Sequence, residues 1–191
     1  METTSVAAPA RRSSAQLTLA LGVGVLVVGL IFALSSIYTG WYAIFRVVHV
    51  ALAVFWVGGG LTLTVLGLRA ERLDDPREMA TLARQAAFVG EKLFAPAGLL
   101  VLLMGIGMVI NADLGWGHFW VIAGLIGYAA TFATGVGVLS PLAKKIDALL
   151  TEKGPEAPET QAAIARILLI ARVDVAVLLL VVADMTTKPF S

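Results

Sequence analysis

Hydrophobic residues fill five long stretches of this chain, and shorter polar segments separate them. The stretches cover roughly residues 17–37, 43–68, 94–110, 118–139 and 167–185. A helix needs about 20 apolar residues to cross a bilayer, and each stretch is close to that length. The stretches are rich in Leu, Val, Ala and Gly and show no alternation of polar and apolar positions, so the pattern predicts helices.

The composition indicates a membrane protein. The mean hydropathy is +0.90, and 59% of the residues are hydrophobic while only 14% are charged, so one soluble core could not bury the apolar surface. The net charge of +1 gives no electrostatic basis for binding nucleic acid. The absence of cysteine excludes disulfides, thiolate metal sites and cysteine nucleophiles. We therefore expect an all-α integral membrane protein whose solvent is largely the lipid bilayer.

The five spans predict the domain organisation. Residues 1–16 form a cytoplasmic tail, residues 17–37 an N-terminal transmembrane anchor, and residues 41–190 a four-helix membrane domain. Arg11 and Arg12, which precede the first apolar run, also fit a secretory or twin-arginine signal. We expect a retained anchor because the run is longer than the apolar part of a typical signal. Cleavage would leave the four-helix core bundle alone.

The positively charged residues predict the orientation. Eleven of the fourteen Lys and Arg residues lie before span one, between spans two and three, or between spans four and five. These segments share one side of the membrane, and an excess of Lys and Arg marks the cytoplasmic side. The N-terminus is therefore predicted in the cytoplasm and the C-terminus outside.

The two long inner segments carry signals of further helices. Asp75 can cap a helix that begins at Pro76, and this helix is predicted to continue into the third span with a kink at Pro96. The second segment has an apolar stripe and ends at Gly154 and Pro155. We expect two helical hairpins that protrude on the cytoplasmic side.

Arg46 and His49 share one face of span two near its outer end. In one interpretation His49 hydrogen-bonds a neighbouring helix, while Arg46 reaches the headgroups or pairs with an acid. In the other, His49 is an axial ligand of haem or a copper ligand, and the glycines at 58–60 admit a helix or a flat ligand. The weaker candidate ligands at the outer ends of other spans are Met104, Met108 and His118. Core packing of the methionines and an interfacial aromatic belt around His118 are the alternatives.

Span five carries three charged residues, Arg172, Asp174 and Asp184. A charge inside a span costs about 3 kcal/mol on insertion scales, so each one needs a reason. Asp184 lies at the predicted depth of Arg46, and we expect these two to form an ion pair. Arg172 and Asp174 are expected to form structural ion pairs with other helices, and Glu91 is a candidate partner.

Three segments resemble a bacterial membrane superfamily. Residues 46–49 followed by 54–59 are similar to its first core helix, residues 96–107 to the next helix, and residues 181–190 to its last helix. The superfamily contains the copper-resistance protein CopD, the HemJ-type protoporphyrinogen oxidase and a set of predicted integral membrane proteins, which the chain resembles most. The resemblance implies a multi-pass protein of the bacterial cytoplasmic (inner) membrane.

The resemblance also implies a cofactor. In the HemJ-type proteins, a His at the position of His49 binds haem b together with a lysine inside the bundle. Spans two to five contain no lysine, so a second ligand here would come from Met104, Met108 or His118. The CopD-like proteins imply copper instead, for which His49 with methionine ligands is reasonable chemistry.

Three functions therefore stay open at this point. The chain is a haem-b-binding redox protein that uses His49, a non-catalytic scaffold or accessory subunit of a larger membrane complex, or a protein that handles copper. No catalytic triad or phosphate-binding loop indicates an enzyme class, so enzymatic activity also stays open. The expected partners are the bilayer and other membrane subunits or further copies of the chain.

Overall fold

The computed structural model describes residues 14–189, and the regular elements in this range are helices. Most of the predicted tail, including Arg11 and Arg12, lies outside the described residues. Six α-helices follow one another: α1 (Ser14–Leu73), α2 (Pro76–Val89), α3 (Ala95–Asn111), α4 (Phe119–Thr134), α5 (Ser140–Glu152) and α6 (Pro158–Thr187).

The chain divides into two compact units, Met1–Ile44 and Phe45–Ser191. In the first unit, α1 contains one non-helical residue, Gly40, with φ 75° and ψ 159°. Glycine adopts a positive φ at no steric cost, because it has no Cβ. The sequence predicted a break in the helix between residues 37 and 43, and Gly40 lies there.

In the second unit, π-helical turns join α2 to α3 and α4 to α5. The first turn is Gly90–Phe94 and the second is Gly135–Leu139. Each ends two residues before a proline, Pro96 or Pro141. A proline has no N–H and its ring displaces the carbonyl one turn earlier, so a wider turn accommodates it. The kink predicted at Pro96 therefore corresponds to a π turn, and a second one occurs before Pro141.

Small residues bring the long helices of this unit into contact. A Cβ on Gly98 would lie 3.1 Å from the ring of Trp56, and one on Gly107 would lie 3.1 Å from the ring of Phe45. As the residue number rises along α3, the contacted residue number falls along α1. The two helices are therefore antiparallel.

Helix α6 is antiparallel to α1 and to α4. Along α1, Gly60 contacts Val175 and the later Gly67 contacts the earlier Leu168. Along α4 the glycine contacts follow the same opposite order: Gly124 with Met185, and Gly127 with Val181. The four long helical segments of the second unit, in α1, α3, α4 and α6, thus alternate in direction along the chain.

Three helical segments of the described chain are long and apolar enough to cross a membrane: Gly40–Leu73, Pro76–Asn111 and Phe119–Glu152. They contain the predicted spans 43–68 and 94–110, and all of the predicted span 118–139 except its first residue, His118. The predicted spans 17–37 and 167–185 are helical but are not among these candidates. Helix α6 carries three charged residues in its apolar part, whereas charged residues are rare within a transmembrane helix. The protein is an integral membrane protein whose described residues form an all-helical structure with three candidate spans, where the sequence analysis counted five over the whole chain.

The polar ends of the long helices pack into a small layer of their own, which we call the helical cap. It consists of α2, α5 and the first part of α6. The helical cap starts at Asp75, which caps α2 as predicted. Its Oδ1 accepts a hydrogen bond from the N–H of Arg77 at 2.9 Å. Its apolar core is formed by Ala80, Ala83, Ile146, Leu150, Ala163 and Ile164. The two predicted hairpins therefore pack against each other.

Candidate functional site

A cavity of about 800 Å³ lies where the helical cap meets the apolar helices. Helix α1 contributes Trp56, Gly60 and Thr64 to its wall, and α6 contributes the face that contains Ala171, Asp174 and other residues at helical spacing. Three further aromatic residues also line it: Phe88, Phe94 and Phe132. The wall is therefore mainly apolar and aromatic, with a few polar groups.

Both π turns line this cavity. The N–H of Ala95 donates to the carbonyl of Gly90, and the N–H of Ser140 donates to the carbonyl of Gly135, which closes the wider turns. Gly90 and Gly135 border the cavity, and a Cβ on either would meet no atom within 4 Å. The two glycines therefore leave open space at the cavity wall, and π turns are frequent at functional sites.

Most charged side chains at the cavity have a partner. Arg84 Nε lies 3.1 Å from Asp147 Oδ1, and both residues are exposed. Arg172 Nη2 reaches Glu71 Oε1 on α1, at 2.6 Å. The acid that sequence reasoning missed is Glu71, and no spacing rule links it to Arg172, because the two lie on different helices.

Three other charged groups complete the cavity wall. Glu91 Oε1 lies 3.0 Å from the Nζ of its neighbour Lys92, so its contact is within the π turn rather than with Arg172. Lys144 is exposed. Asp174 is half-buried, and its carboxylate has no hydrogen bond or ion pair with any residue in the described range. Of the two cavity charges without an ion pair in the described residues, Lys144 and Asp174, only Asp174 is half-buried.

His49 lies on α1, where it contacts α3, and it is not part of the cavity wall. Its Nδ1 donates a hydrogen bond to the carbonyl oxygen of Val101 at 2.8 Å. A Cβ on Gly105 would lie 3.1 Å from His49 Cε1, so the missing side chain makes room for the ring. Because a carbonyl can only accept, Nδ1 carries a proton, and in the neutral ring Nε2 therefore carries the lone pair.

The weaker candidate ligands lie in different surroundings. Met104 and Met108 are half-buried and follow Val101 and Gly105 on one face of α3 by helical spacing. His118 is exposed and directly precedes α4. Within the described part of the chain, no group of three or more His, Asp or Glu side chains could hold a metal ion.

The remaining predicted contacts concern Arg46, Asp184 and the glycines at 58–60. The Oδ2 atom of Asp184 is buried and has no hydrogen-bond partner in the described residues, and Arg46 is exposed. The Arg46–Asp184 pair stays a prediction. The glycines at 58–60 serve helix packing in part, because a Cβ on Gly59 would lie 2.7 Å from the ring of Phe94.

Comparison with protein-family models places the second unit in a family. The model described as "Predicted integral membrane protein (DUF2269)" matches residues 43–189. The chain belongs to this family. The match covers nearly all of the predicted four-helix domain, residues 41–190, and leaves out the predicted anchor at 17–37. The curated proteins and the solved structures give no match. Membership agrees with the expected set of predicted integral membrane proteins, while the relation to CopD and HemJ-type proteins stays a proposal.

Proposed function

We propose that this protein is a membrane-embedded binding protein whose cavity holds a small amphipathic molecule. The observation that carries the proposal is the cavity itself, of about 800 Å³, between the helical cap and the apolar helices. Ligand pockets measure about 300–1,000 Å³ and combine an apolar wall with a few placed polar groups. The wall of this cavity, with Trp56, Phe94 and Phe132 beside charged groups, has that character.

The surroundings support a ligand site over a packing defect. Protein interiors are close-packed, with few voids larger than a water molecule. Several glycines elsewhere in this unit are in contact with neighbouring side chains, as Gly98 is with Trp56. Gly90 and Gly135, by contrast, face open space at the cavity, and both belong to π turns.

The proposal includes a membrane topology. Helix α6 is antiparallel to α1 and α4, which supports a crossing by α6, and the cation asymmetry supports an N-terminus in the cytoplasm. With the helix before Gly40 as an anchor, this arrangement has five spans. The helical cap then faces the cytoplasm of a bacterial cell, at its inner membrane.

The test uses quenching of Trp56 fluorescence by 11-bromo-1-undecanol, with the protein in zwitterionic lipid nanodiscs. Trp41, Trp116 and Trp120 are replaced by Phe, so that Trp56 alone reports. Saturable quenching supports the cavity site. In this background, Gly135→Leu fills the cavity and should abolish the saturable part. Gly137→Leu is the matched control, because Gly137 lies in the same π turn and has equal space but does not line the cavity.

Equal quenching in the parent and both glycine variants would contradict the binding proposal, because it would reflect bromine dissolved in the bilayer. Loss of quenching in both variants would do the same, because it would show a general effect of the π turn. Only a loss confined to Gly135→Leu supports a ligand in the cavity.

Haem b at His49 is the second candidate function. The observation in its favour is the hydrogen bond from Nδ1 to the Val101 carbonyl. Metal-bound histidines usually anchor their other ring nitrogen in this way, which leaves Nε2 for the metal. Met104 and Met108 follow Val101 and Gly105, which contact His49, by helical spacing on α3, and they are the candidates for a second ligand or for copper.

The same bond equally fits a scaffold or accessory subunit, in which His49 only ties α1 to α3. In that case the glycine contacts between α1, α3 and α6 serve only to pack the helices together. An absorption spectrum of the purified protein separates these alternatives. A Soret band supports haem, and a colourless, metal-free protein supports the binding or scaffold functions.

A further inference from the structure

Asp174 lies on the cavity face of α6 and deep along the apolar helices. The next residue, Val175, contacts Gly60, since a Cβ on Gly60 would lie 2.9 Å from Val175 Cγ2. Gly60 lies about 20 Å along the helix from Leu73, the last residue of α1. An ionisable side chain at such a depth is costly, and it marks a functional site unless a partner explains it.

The cavity charges on every surrounding element leave Asp174 uncompensated. On α1 the wall residues are apolar or neutral. On α2 and the first π turn, Arg84 is bound to Asp147 and Glu91 to Lys92. Helix α5 adds Lys144, which is exposed and forms no ion pair with Asp174, and on α6 itself Arg172 is bound to Glu71. The carboxylate of Asp174 has no such contact within the described chain.

We infer that Asp174 makes the cavity selective for an amphipathic cation, a molecule with an apolar body and one protonated amine. The inference rests on the proposed binding function and names its ligand class. A protonated amine would donate hydrogen bonds to the carboxylate and neutralise it in an environment of low dielectric constant. The apolar body would contact Trp56, Phe94 and Phe132, whose ring faces also attract a cation.

An anionic amphiphile is disfavoured at the same site. Its head group would meet the Asp174 carboxylate, while the cavity cations Arg84 and Arg172 are already bound to acids and Lys144 is exposed. A neutral amphiphile would gain the apolar contacts and leave Asp174 without a partner. The order of affinity is therefore amine, then alcohol, then acid.

The experiment compares three probes of equal chain length in the Trp56-only protein: 11-bromoundecylamine, 11-bromo-1-undecanol and 11-bromoundecanoic acid. The nanodiscs contain only zwitterionic lipid, so that surface charge does not concentrate one probe. We expect the amine to bind at least about tenfold more tightly than the alcohol. Asp174→Asn should bring the two affinities within about twofold of each other, while Asp174→Glu should keep the preference.

Asp147→Asn is the matched control, because Asp147 is also a cavity carboxylate but contacts Arg84. It should keep the preference for the amine. Equal binding of amine and alcohol in the parent would overturn the inference and leave the binding function standing. A preference that survives in Asp174→Asn, or tightest binding of the acid, would also overturn it. Absence of saturable quenching by all three probes would instead refute the proposed function.

Discussion

At the scale of single residues, the polar groups of this bundle differ in how they are satisfied. His49 donates a hydrogen bond to a backbone carbonyl of α3, and Arg172 forms an ion pair with Glu71 on α1. Asp174 has neither kind of contact in the described chain, and it faces a cavity. A polar group that is removed from water without a hydrogen-bond partner lowers the stability of the fold. Asp174, rather than the already hydrogen-bonded His49, therefore supports a ligand site at the cavity.

Replacement of His49 by alanine separates its two roles. If the ring only binds the Val101 carbonyl, His49→Ala loses one hydrogen bond and roughly 1 kcal/mol of stability. If His49 holds haem, the variant loses the Soret band, together with the stability that a bound cofactor provides. Spectra and melting temperatures of parent and variant provide the measurement. An unchanged spectrum and a shift of only a few degrees would remove His49 as a ligand.

Sequence reasoning identified His49 by its residue type and depth, but not its acceptor. The acceptor is a backbone carbonyl, which every residue has, so no residue type could indicate Val101. The same holds for Asp174, which was expected to be in an ion pair. Its position at a cavity became visible only when the packing of four helices was known.

At the scale of helices, the two π turns share one sequence arrangement. Gly90 and Gly135 each begin a turn, and a proline follows six positions later, at Pro96 or Pro141. The sequence predicted an irregularity only at Pro96. The long helices and the Asp75 cap were predictable because hydrophobic runs and capping residues are local signals. The cavity was not, because it depends on which helix faces meet.

The glycines at 58 and 59 allow a test of helix packing with a built-in control. A Cβ on Gly59 would lie 2.7 Å from the ring of Phe94, whereas one on Gly58 would meet nothing within 4 Å. We expect Gly59→Leu to destabilise the protein by roughly 1–3 kcal/mol through overpacking. Gly58→Leu should be neutral or slightly stabilising, because leucine favours a helix more than glycine does. Thermal unfolding in detergent compares them, and equal melting temperatures would refute the α1–α3 contact.

The helical cap carries a pH-sensitive contact at the start of α6. The hydrogen bond from Lys153, with Nζ 2.9 Å from Glu159 Oε1, lowers the pKa of Glu159 below its ordinary range. A lowered pKa means that the contact stabilises the fold at neutral pH and is lost as the pH falls through the folded-state pKa. Glu159→Gln should therefore lower the melting temperature near pH 7.

That difference between parent and Glu159→Gln should shrink between about pH 5 and pH 3, as the carboxylate becomes protonated. Lys153→Gln should remove most of this pH dependence, because it removes the cation that lowers the pKa of Glu159. A difference that stays constant down to pH 3, or that grows in acid, would contradict the assignment of this contact.

At the scale of the whole molecule, the proposed topology places the helical cap in the cytoplasm. A reporter that is active only in the cytoplasm should work when inserted at Gly154, between α5 and α6, and should fail when fused after Ser191. The physical reason is the excess of Lys and Arg in the segments around the cap. Activity after Ser191 together with inactivity at Gly154 would reverse the orientation. Activity at both sites would show that α6 does not cross the membrane.

The central claim is that the cavity between the helical cap and the apolar helices holds a small amphipathic molecule. Native mass spectrometry of protein released from membranes measures this occupancy directly. We expect the parent and Gly137→Leu to retain a bound amphiphile and Gly135→Leu to show the mass of the bare chain, because only Gly135 lines the cavity. The bare mass for all three proteins, or equal retention by all three, would contradict the claim.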